Sequence, residues 1–115
     1  MTEYASPEAL TKVPIGEEDL MLEGGLVRVR GLSRGEVYMM RKAKEDGGIK
    51  DEAAWERRLV SLAVVAPKLT EQQVWEWQQG PAGGDMETLT DKINQLSKLD
   101  DGADKSRVPG DGPQP

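Results

Sequence analysis

The stretch that most constrains the fold runs from Asp19 to Met40 and has the pattern of a β-hairpin that leads almost directly into a helix. Two short runs with alternating apolar residues flank Gly24 and Gly25. Paired glycines adopt the positive φ angles that two-residue hairpin turns require, so we place the turn at these two residues. The resulting register gives the hairpin one apolar face, which consists of Leu20, Leu22, Val27 and Val29.

The same register sets the charge pairing on the other face of the hairpin. It places Asp19 opposite Arg30, where opposite charges on neighbouring strands are modestly stabilising. A slip by one residue would turn every apolar side chain to the other face, so we expect the register to be well specified.

The first helix is predicted from Ser33 to about Glu45. Glu36 follows Ser33 by three residues, which is the spacing of a capping box. Gly47 and Gly48 end this helix, because glycine is favoured just beyond a helix C-terminus.

Three further helices are predicted. Asp51 caps the second, which runs up to Pro67 and has the clearest apolar stripe of the chain. That stripe comprises Trp55, Leu59, Leu62, Ala63 and Ala66. Thr70 and Gln73 form a second capping-box pair for a short helix, and Asp85 is expected to cap the last one.

These elements predict a single α+β domain that is mostly helical, with a short N-terminal β-hairpin followed by about four helices. Residues 1–16 contain two prolines and are expected to form an extended N-terminal arm. Residues 17–99 form the hairpin-plus-helices domain. Residues 100–115 are polar and rich in glycine and proline, so we expect a disordered C-terminal tail.

The composition argues against several classes of function. The 115 residues include no cysteine and no histidine, which removes thiolate and imidazole ligands and the usual general base. We therefore predict no catalytic residues, no metal, no cofactor and no small-molecule substrate. A net charge of −6 argues against general nucleic-acid binding. No apolar run is long enough to span a bilayer, and the N-terminus lacks a signal sequence, so we expect no membrane association and a cytoplasmic location.

The candidate partner-binding residues lie on two helices. Arg34 and Arg41 belong to a basic side of the first helix, which favours either an acidic partner or simply a solvated surface. Met39 and Met40 form an adaptable contact surface or fill the core. Trp77 shares the inward side of its helix with Val74, so Trp75, two residues earlier, is expected to face the surface or a partner, or else to close over the edge of the core or the loop of residues 80–84.

Several of these segments together resemble the tail assembly chaperones of long-tailed bacteriophages and related prophages. The resemblance spans about residues 18–99 and rests on four segments: Val29 to Glu36, Val65 to Thr70, Gly80 to Gly83, and Gln95 to Leu99. It implies a non-enzymatic protein that binds the tape measure protein, keeps it soluble and helps to recruit tail tube subunits. It also implies a location in the bacterial cytoplasm and absence from the mature virion; self-association stays open.

Two alternative functions are also compatible with the sequence. One is a small regulatory or nucleic-acid-associated protein that combines the basic first helix with Arg28 and Arg30. The other is a structural component of the tail or its connector.

Overall fold

The computed structural model describes residues 3–98 and shows an α+β architecture in which a small antiparallel sheet is covered by helices. The elements follow the chain as α1 (Pro7–Thr11), β1 (Glu17–Leu22), β2 (Gly25–Arg30), α2 (Arg34–Glu45), α3 (Glu52–Ala63), β3 (Val64–Ala66), α4 (Glu71–Gln78) and α5 (Gly83–Leu96). The predicted fold class, a short hairpin followed by helices, is confirmed. The predicted disordered tail, residues 100–115, lies outside the described residues.

The N-terminal arm contains one short helix. α1 begins after Ser6, whose hydroxyl oxygen accepts a hydrogen bond from the Ala9 backbone N–H at 3.0 Å. Pro7 occupies the first helical position, where its missing N–H costs nothing. Every residue from 3 to 16 is exposed, so the arm does not belong to the core.

The hairpin turn lies one residue earlier than the glycine pair suggested. Leu22 pairs with Gly25, so the two turn residues are Glu23 and Gly24. Gly25 has a φ of +134°, a conformation that side chains disfavour, and it therefore uses the freedom of glycine as the first residue of β2. The Asp85 carboxylate, from α5, accepts hydrogen bonds from the Glu23 and Gly24 N–H groups at 2.9 and 3.4 Å and holds the turn there.

The apolar face of the hairpin survives this correction. The observed pairing places Leu20 opposite Val27, which differs from the predicted register by two residues along β1. Because side chains alternate with a period of two, a shift of two keeps every side chain on its face. Leu22 and Val29 are buried, while Leu20 and Val27 are partly buried against the same core.

The charge pairing on the outer face does change. Asp19 lies opposite Arg28 instead of Arg30, which faces Glu17. Arg28 forms ion pairs with both Glu17 and Asp19 at 2.9 Å. The predicted pairing of Asp19 with Arg30 is therefore wrong.

A third strand replaces the predicted end of the second helix. α3 ends at Ala63, and Val64–Ala66 form β3, which pairs antiparallel with β2 through Val29 and Val64. Val64 is fully buried and β-branched, which suits a strand beside the otherwise open edge of β2. Ala66, predicted to belong to the helical stripe, is exposed.

The helix starts follow the predicted caps in three of four cases. Ser33 and Glu36 form a complete capping box at α2, and Thr70 and Gln73 form another at α4. The Asp51 side chain caps α3. α5 instead begins at Gly83 without a side-chain cap, so the predicted cap Asp85 is wrong.

The core lies between the inner face of the sheet and helices α2, α3 and α5. Its most completely buried large side chains come from the strands and from α3, α4 and α5: Val29, Val60, Val64, Val74, Leu89 and Ile93. α3 contacts α2, α4 and α5, and α5 contacts both strands of the hairpin. This packing fixes one side of α2 and leaves its other side at the surface.

Candidate functional site

The structure separates the predicted partner-binding residues into three environments. Arg34, Met39 and Arg41 are exposed on α2, with 73% of Met39 accessible. Trp75 is 44% exposed on α4. Met40 is only 2% exposed.

Met40 is a core residue, and its burial corrects its assignment as a contact residue. It lies three residues after Val37, so both side chains point to the same side of α2 and pack inward. Met40 therefore fills the core instead of forming a contact surface. Of the two methionines, only Met39 is available to a partner.

An apolar depression lies on the outer side of α2. Tyr38 is 54% exposed and stands beside Met39. Together with Lys42, Ala43 and Asp46 they line a shallow depression of about 430 Å³. We define the α2 surface as the walls of this depression together with two neighbouring arginines: Arg34, Tyr38, Met39, Arg41, Lys42, Ala43 and Asp46.

Tyr38 was not predicted to be a contact residue, although the sequence contains a signal for it. Val37, Tyr38, Met39 and Met40 are consecutive apolar residues in a helix. At about 100° per residue, four consecutive positions cover most of the helix circumference, which one core-facing side cannot bury. Two of the four therefore remain outside.

The basic side chains of the α2 surface differ in their contacts. The Arg34 guanidinium lies 5.1 Å from the centre of the Tyr38 ring and donates a hydrogen bond to its hydroxyl oxygen at 3.2 Å. This contact combines cation–π attraction with a hydrogen bond and orients the ring. Within residues 3–98, no salt bridge involves Arg34 or Arg41. Lys42, in contrast, pairs with Asp46 one turn later at 3.3 Å.

The two arginines of β2 are committed to acidic neighbours. The hydrogen bonds that Arg28 donates to the Glu17 and Asp19 carboxylates raise the pKa of Arg28 above its usual value, despite some loss of hydration. Arg30 donates two hydrogen bonds of 2.8 Å to Glu36. This bidentate contact, helped by the Ser33 backbone, lowers the pKa of Glu36 from 4.5 to about 2. Arg28 and Arg30 therefore do not extend the basic side of α2.

Trp75 lines a separate groove between α3, α4 and α5, with a volume of about 640 Å³. Gln78 crosses this groove. Its amide N–H groups donate hydrogen bonds to the Ala53 carbonyl and to Glu56, and its amide oxygen accepts one from Arg57, at 2.9–3.1 Å. These polar groups of the groove are therefore bonded to one another. Trp77 is partly buried against the core, as predicted. The groove and the depression on α2 share no lining residue, so the structure does not bring Trp75 and Met39 together.

Within residues 3–98 there is no cluster of three or more His, Cys, Asp or Glu side chains arranged to hold a metal ion. In the same range, no helix has the length and apolar character needed to cross a membrane.

The α2 surface is therefore the best-defined candidate site, because it combines exposed apolar side chains with two arginines that form no salt bridge within residues 3–98, on a well-anchored helix. In comparisons with protein families, with curated proteins and with solved structures, the chain shows no significant match to any of them.

Proposed function

We propose that this protein is a tail assembly chaperone of a long-tailed bacteriophage, which binds the tape measure protein through the α2 surface. In this role it keeps the tape measure protein soluble in the host cytoplasm, helps to recruit tail tube subunits and leaves before the tail matures. The observation that carries the proposal is the pair of large apolar side chains, Tyr38 and Met39, exposed side by side on α2.

The chemistry of these two side chains suits a client with a long and varied sequence. Methionine is flexible and polarisable, so Met39 adapts its shape to different apolar partners. Tyr38 supplies a large ring with a polar tip, a combination that is common at protein interfaces. A surface of this kind binds by apolar contact without demanding one fixed sequence.

The anchoring of α2 lowers the cost of binding. Its N-terminus is fixed by the capping box and by the ion pair between Arg30 and Glu36, and its inner side packs through Val37 and Met40. The contact side chains therefore project from a helix that is already ordered, so little backbone entropy is lost when a client binds. The net charge of −6 favours solubility of the complex.

Co-expression with the tape measure protein tests this proposal. The wild-type chain should increase the soluble fraction of the tape measure protein, and the double variant Y38S/M39S should lose most of that effect. The matched control is the pair K50S/K68S, which also alters two exposed residues but lies outside the α2 surface. No gain in soluble tape measure protein with the wild-type chain would refute the proposal.

The structure weakens the nucleic-acid alternative. Two of its expected phosphate contacts, Arg28 and Arg30, are already paired with acidic side chains. Nucleic-acid binding depends on cations that are free to neutralise phosphates, so this surface offers fewer of them than its sequence suggests.

A further inference from the structure

Two arginines lie next to Tyr38 at one edge of the exposed side of α2. Arg34 and Arg41 are seven residues apart, which places them on the same side of the helix and about 10.5 Å apart along its axis. Tyr38 lies between them, within about 60° of both around the helix axis. The two arginines therefore flank Tyr38, which forms one wall of the apolar depression, although neither arginine lines the depression itself.

Both cations are open to a partner. The salt bridges of residues 3–98 include neither Arg34 nor Arg41, while Lys42, on the other side of Tyr38, is paired with Asp46. Arg34 stacks on the Tyr38 ring, which leaves most of its guanidinium donors free for an acceptor. This is notable because the chain as a whole carries a net charge of −6.

We propose that the segment which binds the α2 surface is an amphipathic helix with two acidic residues seven positions apart beside its apolar stripe, facing Arg34 and Arg41. This inference rests on the proposed function and specifies the chemistry of the client. A helix is the occupant that fits, because two helices packed at about 20° stay in contact over two turns and repeat their side chains at the same rise. Acids seven positions apart on the partner then match the 10.5 Å spacing of the arginines in either helix direction.

An exposed carboxylate on the same side of α2 limits the charge pattern that a partner helix can carry. Glu45 follows Arg41 by four residues and is also exposed. It repels a third acid at the next turn of the partner, so the match is restricted to two acids and is not a general preference for negative charge. The binding of any acidic segment, irrespective of spacing, is therefore not what the α2 surface favours.

Three synthetic helical peptides provide the direct test with the full-length protein. All three share one leucine stripe, and two positions seven residues apart beside it carry glutamate, glutamine or lysine. Fluorescence anisotropy of the labelled peptides should show the glutamate peptide binding about tenfold more tightly than the lysine peptide, with the glutamine peptide between them. Moving the two glutamates to positions five apart, which face different sides of the helix, should abolish the advantage.

Charge reversal on the protein completes the test. The variant R34E/R41E should bind the lysine peptide more tightly than the glutamate peptide. The control K50E/K68E makes the same change in net charge at exposed positions elsewhere and should keep the wild-type order. R34Q/R41Q, which is neutral at both positions, should lose the preference without reversing it.

The peptide assay has outcomes that support or overturn the inference. Equal binding of the glutamate and lysine peptides by the wild-type chain, or an unchanged order in R34E/R41E, would overturn the inference. The peptide assay contains no tape measure protein, so its outcome is separate from that of co-expression. If the wild-type chain solubilises the tape measure protein but shows no peptide preference, this inference fails while the proposed function stands. If the chain prefers the glutamate peptide but does not solubilise the tape measure protein, the proposed function fails while the charge preference of the α2 surface stands.

Discussion

Replacing Gly31 with alanine should strongly lower the free energy of unfolding, because this residue lies where the hairpin meets the last helix. Gly31 is buried, and its N–H donates a hydrogen bond of 3.0 Å to the Gly16 carbonyl. A methyl group at Gly31 would lie 2.5 Å from both the carbonyl carbon and the carbonyl oxygen of Leu96, and 2.7 Å from the Ser97 nitrogen. All three atoms belong to the backbone, so no side-chain rotation relieves the contact.

The magnitude follows from the size of the overlap. Carbon atoms in contact prefer about 3.5–4.0 Å, so α5 and β2 would have to separate by roughly 1 Å. Overpacking of a core by one methyl group costs about 1–3 kcal/mol when side chains adjust, and backbone resistance places this site at the upper end, near 3 kcal/mol. For a domain of this size, that loss lowers the melting temperature by about 12–24 °C.

Urea denaturation followed by tryptophan fluorescence measures the effect. Gly84→Ala is the matched control, since a methyl group there meets nothing within 4 Å and the residue lies in the first turn of α5. That change should raise the free energy of unfolding by about 0.5 kcal/mol through the lower chain entropy of alanine in the unfolded state. A Gly31→Ala variant as stable as the wild type would refute the close packing of α5 against the end of β2.

Four other substitutions have distinct expected outcomes. Asp85→Ala should lower the free energy of unfolding by about 1–2 kcal/mol and speed amide exchange in the hairpin turn, because two hydrogen bonds to a carboxylate are lost. The lowered pKa of Glu36 contributes stability that is complete above its unfolded value of 4.5 and disappears as the pH falls towards about 2. Since solvent partly screens its pair with Arg30, we expect about 1–2 kcal/mol, and Glu36→Gln should remove this acid-dependent loss in denaturation curves recorded from pH 6 to pH 2. Met40→Ala should cost about 2–5 kcal/mol of folding stability, whereas Met39→Ala should change it by less than about 0.5 kcal/mol while weakening client binding.

Local signals were sufficient to predict most helix starts. The capping boxes at α2 and α4 involve residues only three apart, so their chemistry is complete within the sequence window. The apolar face of the hairpin was also predictable, because side chains alternate along each strand and the observed register differs from the predicted one by two residues, which keeps every side chain on its face.

Features that depend on distant residues could not be predicted in the same way. Asp85 has the residue type and position of an N-cap, yet its carboxylate accepts hydrogen bonds from a turn 61 and 62 residues earlier in the chain. Only the packing of α5 on the hairpin reveals this contact. Val64–Ala66 continue the helical apolar stripe in the sequence, but their backbone pairs with β2 instead of continuing the helix. In each case a tertiary contact overrides the local preference.

The candidate site was only partly visible in the sequence for a similar reason. The basic and apolar character of the first helix was evident from its residue types. The separation of Met39 from Met40, and the pairing that removes Arg28 and Arg30 from the basic side, depend on which side of each element packs inward. Trp75 proved to be exposed, but on a different surface.

Site-specific photo-cross-linking to the tape measure protein tests the central claim most directly. A benzophenone amino acid placed at position 39 lies on the α2 surface, and one at position 75 lies in the groove between α3, α4 and α5. We predict that the cross-link to the tape measure protein forms from position 39 and that position 75 gives little or none. Cross-links from position 75 without any from position 39 would contradict the assignment of the α2 surface as the site of client binding.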